Sequence, residues 1–473
     1  MKTKKKIRVF ARRLFVLGGL FIVAALAHGQ TLELLHSFQG PDGWDPHSPL
    51  VQGPDGNFYG TTGFGGGSQS NSTFLTTGWG TVFKMTPDGV LTTLVIFNGT
   101  NGAIPSGLIL GNDGNLYGTA EGGNYGWGMV FRMTPAGMLT TLVSFNGTNG
   151  SVPTGGLVQG DDGSFYGVTS TGGNLSLNYG EGYGTFFRLA TNGTLSAVAV
   201  FNQANGSYPD AGLAKGHDGN FYGTTLLGGA YGNGTMFRVT PNGRLTTLRS
   251  FNFNPYATPV GGLTQGSDGN FYGTTTPGAD LYGTGGTVFR VSGGQLTTVV
   301  SFDDLGYAVG YSSYSPIQAS DGNLYGTTGY FFRSEVLQGI VYKIMPDGTW
   351  TSLVALDSLG VVARGVSLVQ GADGNLYGTA AGSDETLDDG YGPGAIFRIV
   401  LPPTHLPPLS FVLSGDTVLI TWPASATNAV LEMTDALPPS WVPVPITPVQ
   451  IGDQMAVTVN IDSQSKFFRL SQQ

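Results

Sequence analysis

One short motif recurs seven times along the chain, and it constrains the fold more than any other feature. The motif is Asp-Gly-Asn, followed by Phe or Leu and then by Tyr-Gly, with Ser in place of Asn in the third copy. Its aspartates are Asp55, Asp113, Asp162, Asp218, Asp268, Asp321 and Asp373. Because a repeated supersecondary unit buries its apolar surface against its neighbours, the repeats predict a single cooperative array.

Each repeat contains four short segments that are typical of β-strands. The segments are rich in Thr, Val, Phe and Tyr, and Asp-Gly or Asn-Gly pairs separate them. These pairs supply the positive φ angles of tight hairpins. No window keeps a helical apolar period over ten or more residues. We therefore predict a four-stranded antiparallel meander in each repeat, with strands a, b, c and d, and apolar pairs such as Phe58 and Tyr59 indicate burial of both faces.

The two ends of the repeat region predict a closed ring. Residues Thr31 to Phe38 resemble strand d of the other repeats, as in Leu139 to Phe145, whereas the last repeat ends after its strand c, at Ala395 to Val400. Pairing these two ends removes two exposed sheet edges. The predicted fold class is all-β, a seven-bladed β-propeller over residues 30–400 closed by the N-terminal strand. A linear β-solenoid is the competing architecture, and it would leave an unpaired strand at each end.

The first 29 residues have the pattern of a cleaved signal peptide. A basic start that includes Arg12-Arg13 precedes an apolar run from Leu14 to Ala27, which is too short to span a bilayer. Cleavage is expected after Gly29, with Ala27 as the alternative, and the paired arginines leave twin-arginine export open. We expect a secreted protein, extracellular or on the cell surface, with the periplasm as an alternative.

Charge and composition exclude several functions. Seven of the 21 Lys and Arg residues and none of the 30 acids lie in the leader, so the remaining chain has a formal net charge of −16. This charge opposes binding to nucleic acid or to anionic lipid. The absence of cysteine excludes disulfides and thiolate metal sites. We expect a monomer whose partner is a carbohydrate or a surface protein.

The repeated motif resembles the GloVer-type tandem repeat of secreted bacterial proteins over residues 31–400, because all seven Asp-Gly and Tyr-Gly pairs fit that pattern. The resemblance implies an extracellular repeat protein of unassigned activity, in some members with a C-terminal attachment module. More distantly, Gly-x-Asp-Gly-Asn-Leu-Tyr followed by Phe-Arg-x-Thr-Pro-x-Gly is similar to the blades of streptogramin lyases and NHL-like propellers. Fold transfers across such a similarity better than function does.

After a proline-rich linker at residues 401–408, the repeat stops. Residues 409–473 predict a small β-sandwich-like domain that ends in Phe467-Phe-Arg-Leu470. Its strands are expected near Phe411–Leu413, Val418–Trp422, Ala429–Met433, Trp441–Val444, Met455–Ile461 and Phe467–Leu470. This domain resembles the short C-terminal modules of bacterial secreted proteins. Trp422 and Trp441 are expected in its core rather than on a ligand platform.

The loops of a propeller indicate where a ligand binds. The a–b and c–d turns share one face of such a fold, here named the turn face, and the d–a and b–c loops share the other, the loop face. Only the loop-face segments vary in length and composition, and binding residues usually lie on variable loops. Aromatic side chains there suit stacking on sugar rings. The candidate ligand-binding residues are Trp44, Asp45, Trp79, Trp127, Tyr183, Tyr282 and Arg333.

Other repeated or clustered charges have competing explanations. A Lys or Arg follows the strand-c aromatic in every repeat, and we predict an ion pair with the a–b turn aspartate, as between Arg132 and Asp113, rather than a ring of cations around a ligand. Asp384, Asp388 and Asp389 in the last b–c loop are candidate calcium ligands, with a solvated acidic loop as the alternative. No other cofactor is expected.

Catalysis has one candidate residue, His47, which is the only histidine after the leader that the pattern places on the loop face. Our first hypothesis is a non-enzymatic binding protein, and the second is a lyase or glycan-active hydrolase that uses the same face. A purely structural role is a third. A binding protein should present exposed aromatics, whereas an enzyme should bring His47 or paired carboxylates together with perturbed pKa values.

Overall fold

The protein is described by a computed structural model. The described residues are 30–67, 78–123, 125–252, 258–276, 286–302, 314–328, 339–356, 366–382, 392–401, 409–414, 417–423, 429–434, 441–452, 454–460 and 467–472. Gln30–Leu401 forms one compact unit, and Pro402–Gln473 belongs to another. The described residues are all-β apart from short 3₁₀ turns, as at Asn178–Gly180, and they include no helix long and apolar enough to cross a membrane.

The Gln30–Leu401 unit contains seven four-stranded antiparallel sheets, one for each copy of the motif, which we number 1 to 7. Its first strand is β1 (Thr31–Ser37). Sheets 1 to 3 comprise β2 (Val51–Gln52), β3 (Phe58–Thr62), β4 (Thr81–Met85) and β5 (Leu91–Ile96); β6 (Ala103–Leu110), β7 (Leu116–Glu121), β8 (Met129–Met133) and β9 (Leu139–Ser144); and β10 (Val158–Gln159), β11 (Phe165–Thr169), β12 (Thr185–Leu189) and β13 (Leu195–Val200).

The remaining sheets repeat this order of strands. Sheets 4 to 6 comprise β14 (Ala214–Lys215), β15 (Phe221–Thr225), β16 (Thr235–Val239) and β17 (Leu245–Ser250); β18 (Thr264–Gln265), β19 (Phe271–Thr275), β20 (Thr287–Ser292) and β21 (Gln295–Ser301); and β22 (Ile317–Gln318), β23 (Leu324–Thr327), β24 (Ile340–Ile344) and β25 (Trp350–Ala355). Sheet 7 comprises β26 (Val366–Gln370), β27 (Leu376–Gly382) and β28 (Gly392–Val400), together with β1.

The first strand of the unit pairs with the last. β1 lies antiparallel to β28, with Thr31 opposite Val400 and Ser37 opposite Ala395. Across this pair, the Arg398 guanidinium donates a 2.9 Å hydrogen bond from Nε to the Glu33 carboxylate. The two ends of the repeat region therefore share one sheet.

Aromatic side chains fill the space between neighbouring sheets. Phe58 and Tyr59, adjacent on β3, are both almost completely buried, so both faces of sheet 1 are covered. Between sheets, the motif tyrosine of one repeat packs on the strand-b phenylalanine of the next. The ring centroids are 4.0–4.3 Å apart in the pairs Tyr117–Phe165, Tyr166–Phe221, Tyr222–Phe271 and Tyr377–Phe58. Such packing between sheets is the main source of core burial in this unit.

A repeated hydrogen bond also joins neighbouring sheets. The glutamine at the end of strand a accepts from a backbone N–H in the a–b turn of the preceding repeat. The donor and acceptor residues are Asn112 and Gln159, His217 and Gln265, Ser267 and Gln318, Ser320 and Gln370, and Ala372 and Gln52. The last of these bonds links sheet 7 to sheet 1. Lys215 occupies the glutamine position in sheet 4, and it pairs with Asp161 of sheet 3 instead.

The C-terminal unit has two sheets. The first contains β29 (Ser410–Ser414), β30 (Thr417–Pro423), β34 (Gln454–Asn460) and β33 (Val449–Ile451), and the second contains β32 (Val442–Pro443), β31 (Ala429–Thr434) and β35 (Phe467–Gln472). Trp422 lies in the core that the two sheets share, as expected. The prediction for Trp441 was wrong, because its ring is half-buried beneath the Arg469 guanidinium, 4.5 Å away, and is not part of that core.

Candidate functional site

The repeated motif forms a hydrogen-bonded turn. In all seven repeats, the tyrosine hydroxyl donates to the aspartate carboxylate four residues earlier, at 2.7–3.0 Å. In sheet 4, for example, Asp218 accepts from Tyr222 and also from the side-chain amide and backbone N–H of Asn220. These bonds fix the a–b turn and orient a buried ring. The conservation of the motif among repeats is therefore explained by folding, without a ligand.

The strand-c cations only partly follow the predicted pattern. Among the described residues, the expected ion pair with the turn aspartate forms between Arg188 and Asp162, at 2.7 Å, and between Lys343 and Asp321, at 3.8 Å. It does not form between Arg132 and Asp113, whose carboxylate accepts from Tyr117 and Asn115. Arg132 lies beside the Tyr117 hydroxyl instead, where its charge opposes the rise in the tyrosine pKa.

The d–a loops follow a common backbone path on the loop face. The residue before a recurring proline has a positive φ in four repeats, at Asp45, Ile104, Val152 and Tyr208. The residue after that proline differs in each repeat: it is His47, Ser106, Thr154, Asp210 or Val260. A constant backbone with a changing side chain is the arrangement expected where a scaffold presents ligand contacts.

The d–a loops also contact the neighbouring repeat. The strand-b hydroxyl of Thr119 in sheet 2 donates to the carbonyl of Pro153, which leads into sheet 3. Thr379 in sheet 7 donates in the same way to the carbonyl of Ser48, which leads into sheet 1, at 2.9 Å. Each of these bonds joins strand b of one repeat to the d–a loop of the next.

His47 is held by Asp45. His47 Nδ1 lies 3.2 Å from the carboxylate Oδ2 of Asp45 and 3.1 Å from its carbonyl oxygen. Since both partners only accept, Nδ1 carries the hydrogen, and Nε2 has no hydrogen-bond partner among the described residues. The Asp45 side chain is 8% exposed and that of His47 is 33% exposed. The two contacts with Asp45 therefore fix the orientation of the imidazole.

The electrostatic environment of His47 is negative. Burial lowers the pKa of His47, but the hydrogen bond and charge of Asp45, together with the charge of Glu121, outweigh burial and raise it above its usual value. Glu121, at the end of β7 in sheet 2, has its own pKa raised by burial despite the opposing effect of His47. The charge of Asp45 also adds to the effect of burial in raising the pKa of Tyr314, in the segment before β22 of sheet 6. Residues from repeats 1, 2 and 6 thus form one electrostatically coupled group.

Three aromatic residues occupy equivalent positions in consecutive repeats. Trp79, Trp127 and Tyr183 each precede the glycine that leads into strand c, and we name them the aromatic arc. Trp79 is 51% exposed and Trp127 is 45% exposed, while Tyr183 is half-buried against Tyr208. The carbonyls of these residues accept from the backbone N–H groups of Ile104, Val152 and Tyr208, respectively.

These backbone bonds tie the aromatic arc to the d–a loops. Ile104 and Tyr208 belong to the four positive-φ residues before the prolines, so Trp79 and Tyr183 lie next to loops whose path is fixed. Glu121 is connected to the same region, because it pairs with Ala103, and because Gly122, which follows it, forms a bridge with Trp127. The arc and the His47 group therefore lie on the same face of the sheets.

Trp44, another predicted site residue, lies on the loop face. Its backbone pairs with that of Phe64, and it is less exposed than Trp79. The remaining predicted site residues lie outside the described residues, and they are Tyr282, Arg333, Asp384, Asp388 and Asp389. Within the described part of the chain, no cluster of three or more His, Asp or Glu side chains has a geometry for holding a metal ion.

Sequence reasoning missed Glu121, Asp210 and Tyr314. Aligning the d–a loops of the repeats could have identified Asp210, because it follows the recurring proline in repeat 4 as His47 does in repeat 1. Glu121 stands at the end of strand b where most other repeats have Ser, Thr, Gly or Leu. No local signal identifies Tyr314, because its relation to Asp45 depends on how repeats 6 and 1 are arranged in space.

Comparison with known proteins gives a family but no activity. No curated protein sequence matches the chain. Among solved structures, a fungal alcohol oxidase of the AA5 family, in complex with copper, is similar at 14% identity and a TM-score of 0.48, with 91% of this chain and 92% of that chain covered. A mutant α-L-arabinofuranosidase from Fusarium graminearum, in complex with an iminosugar inhibitor, is similar at 11% identity and a TM-score of 0.42, with 77% and 98% covered.

The family assignment rests on the repeats themselves. Both segments matched by the family model contain copies of the Asp-Gly and Tyr-Gly pairs. The model describes the Gloeobacter/Verrucomicrobia repeat and matches residues 17–215 and 176–397, and the chain, a propeller-like tandem-repeat protein, belongs to that family.

Proposed function

We propose that the protein is a secreted carbohydrate-binding protein whose seven sheets are the blades of a β-propeller closed by β1. Support for this closure comes from the pairing of β1 with β28 and from the Ala372–Gln52 bond between sheets 7 and 1. Closure leaves no free edge in the ring, which suits a monomer outside the cell. The signal-peptide pattern of residues 1–29 supports export.

The aromatic arc is the observation that carries the binding proposal. Trp79 and Trp127 keep about half of their surface exposed. Burial of such large aromatic rings is strongly favourable in free energy, so a ligand that covers them gains affinity. They stand on backbone that is hydrogen-bonded to the neighbouring repeat, so their positions are fixed before a ligand arrives. Rigid aromatic rings at a regular interval, with polar side chains beside them, suit the apolar faces and hydroxyl groups of successive sugar rings.

Binding to a panel of polysaccharides, measured by affinity electrophoresis and calorimetry, tests the proposal. We expect Trp79→Ala or Trp127→Ala to weaken binding roughly 5- to 30-fold, because truncating a central aromatic contact costs about 1–2 kcal/mol or more. Met138→Ala is the matched control, since Met138 is a large exposed apolar residue of a c–d turn, on the turn face. Equal affinity of the arc variants and the control would refute the proposal.

A second function, an enzyme acting on the bound glycan, is favoured by one specific observation. His47 is oriented by Asp45, and its Nε2 has no partner among the described residues, so it has the geometry of a general base. Glu121 is a carboxyl group with a raised pKa in the same group, which is the property of a general acid.

Release of reducing or unsaturated ends from the glycan that binds would support this second function. His47→Gln should abolish turnover and retain binding, whereas Trp127→Ala should raise KM with a smaller effect on kcat. Turnover by His47→Gln at the wild-type rate would remove His47 from any catalytic role.

A further inference from the structure

Acidic side chains accompany the aromatic arc. Glu121 is adjacent to the Gly122–Trp127 bridge, and its strand partner Ala103 precedes Ile104, which donates to the Trp79 carbonyl. Asp210 accompanies the third ring, that of Tyr183. The backbone N–H of Asp210 donates to the carbonyl of Tyr208, and the Tyr208 ring packs on the Tyr183 ring. Each ring of the arc therefore has a carboxylate on the adjoining segment.

Among the described residues, no Lys or Arg accompanies these carboxylates. The Lys and Arg residues described in the Gln30–Leu401 unit all lie in strands a, c or d or in the turns of the turn face, and none lies in a described part of a d–a or b–c loop. They are Lys84, Arg132, Arg188, Lys215, Arg238, Arg244, Arg249, Arg290, Lys343 and Arg398. Within the described residues, His47 is the only titratable cation that acts on Glu121.

Asp210 is accessible but closely surrounded by protein. Its side chain is exposed, yet neighbouring atoms raise its pKa, and the hydrogen bond with Ser170 only partly opposes that effect. A ligand cation beside this carboxylate would replace the hydration that the neighbouring atoms remove. Such an environment strengthens attraction to a positive charge and repulsion of a negative one.

We propose that the ligand of the aromatic arc is a polysaccharide of amino sugars with free, protonated amines. This inference rests on the proposed function and narrows it to one substrate class. Trp79, Trp127 and Tyr183 stack on the sugar rings and attract the ammonium groups through their faces, while Glu121 and Asp210 pair with those groups. The negative charges of Glu121 and Asp210 should repel polyuronates and sulfated glycans, which are themselves anionic.

A matched pair of oligosaccharides tests the inference. Glucosamine hexamers and N-acetylglucosamine hexamers share a backbone and differ in charge. In mildly acidic, low-salt buffer, we expect the glucosamine hexamer to bind roughly 5- to 10-fold more tightly, with the difference shrinking as salt is added. Glu121→Gln and Asp210→Asn should each reduce that ratio. Asp88→Asn, at a c–d turn of the turn face, is the control and should leave the ratio intact.

The outcomes separate this inference from the proposed function. Equal or tighter binding of the acetylated hexamer, or a preference for polygalacturonate, would overturn the inference while retaining a carbohydrate ligand. Binding of none of these glycans, nor of any in the wider panel, would overturn both. If Glu121→Gln and Asp210→Asn both kept the preference for the glucosamine hexamer, the inference would also be contradicted, because the carboxylates would then not cause that preference.

Discussion

At the scale of single residues, the hydrogen bond from the motif tyrosine to the turn aspartate recurs in all seven repeats. The Tyr222 ring is 8% exposed, and its hydroxyl donates to Asp218 at 2.8 Å. We expect Tyr222→Phe to lower the free energy of unfolding by roughly 0.5–1.5 kcal/mol, the usual contribution of one such bond. Urea unfolding followed by tryptophan fluorescence measures this change. Tyr231→Phe, in the same repeat but 60% exposed, is the control and should have no effect.

His47 makes a second prediction, on pH dependence. Because its pKa in the folded protein is raised above 6.5, its protonation stabilises the fold below that value, and the gain is lost as pH rises through the folded pKa. NMR titration of the imidazole should therefore give a midpoint above 6.5 in the wild type. Asp45→Asn should move the midpoint below that of the wild type. Burial lowers the pKa of His47, and this variant removes the Asp45 charge that opposes that effect. An unchanged midpoint in Asp45→Asn would contradict the assigned geometry.

The residue scale shows what the sequence could and could not predict. The loop positions of Trp79, Trp127 and His47 were predictable because turn signals place these residues between strands. The expected Arg132–Asp113 pair does not form, and the Asp113 carboxylate accepts from Tyr117 and Asn115. Spacing along a hairpin does not reveal which side chains pair with a carboxylate, because that depends on three-dimensional packing.

At the scale of elements, β1 provides the sharpest test of the ring. Phe38 follows β1 and is fully buried, and Phe97 follows β5 at the equivalent position of sheet 1. In a closed ring the two sites are equivalent, so Phe38→Ala and Phe97→Ala should each cost about 3–5 kcal/mol. Urea unfolding of the two variants gives the comparison. A much smaller cost at Phe38 would mean that the N-terminal strand does not close the array.

The strands were predictable because their signals are local. Asp-Gly and Asn-Gly turns, alternating with short Thr- and aromatic-rich segments, predicted the strands of every repeat. Most strands of the C-terminal unit were predicted as well, although residues 409–473 contain neither pair. The strand β33 (Val449–Ile451) was not predicted, because its three residues are all exposed and carry no alternating pattern. Tyr314 also escaped prediction, since its environment depends on contacts between repeats distant in sequence.

At the scale of the whole molecule, six of the seven repeats share one response to acid. The aspartate pKa is lowered in six of them, at Asp55, Asp113, Asp162, Asp218, Asp268 and Asp321. At Asp162, burial acts to raise the pKa, but hydrogen bonds from Arg188, Ser164 and Tyr166 outweigh it and lower the pKa to about 2. A carboxylate with a lowered pKa stabilises the fold above its unfolded value and loses that contribution as pH falls towards the folded value.

The same effect, repeated around the array, predicts a cooperative loss of stability in acid. The urea midpoint should fall steeply between about pH 4 and pH 2, whereas His47 adds stability as pH falls through its raised folded pKa towards the unfolded value of 6.5, so the maximum should lie between these windows. Asp162→Asn should make the fall of the urea midpoint below pH 4 less steep, because this variant lacks one of the carboxylates that become protonated. A midpoint that is constant or rising below pH 4 would show that the turn carboxylates are not held by their hydrogen bonds. Because each sheet packs on the next through its motif tyrosine, loosening one turn weakens the contact with its neighbour, and the repeats should therefore unfold together rather than one by one.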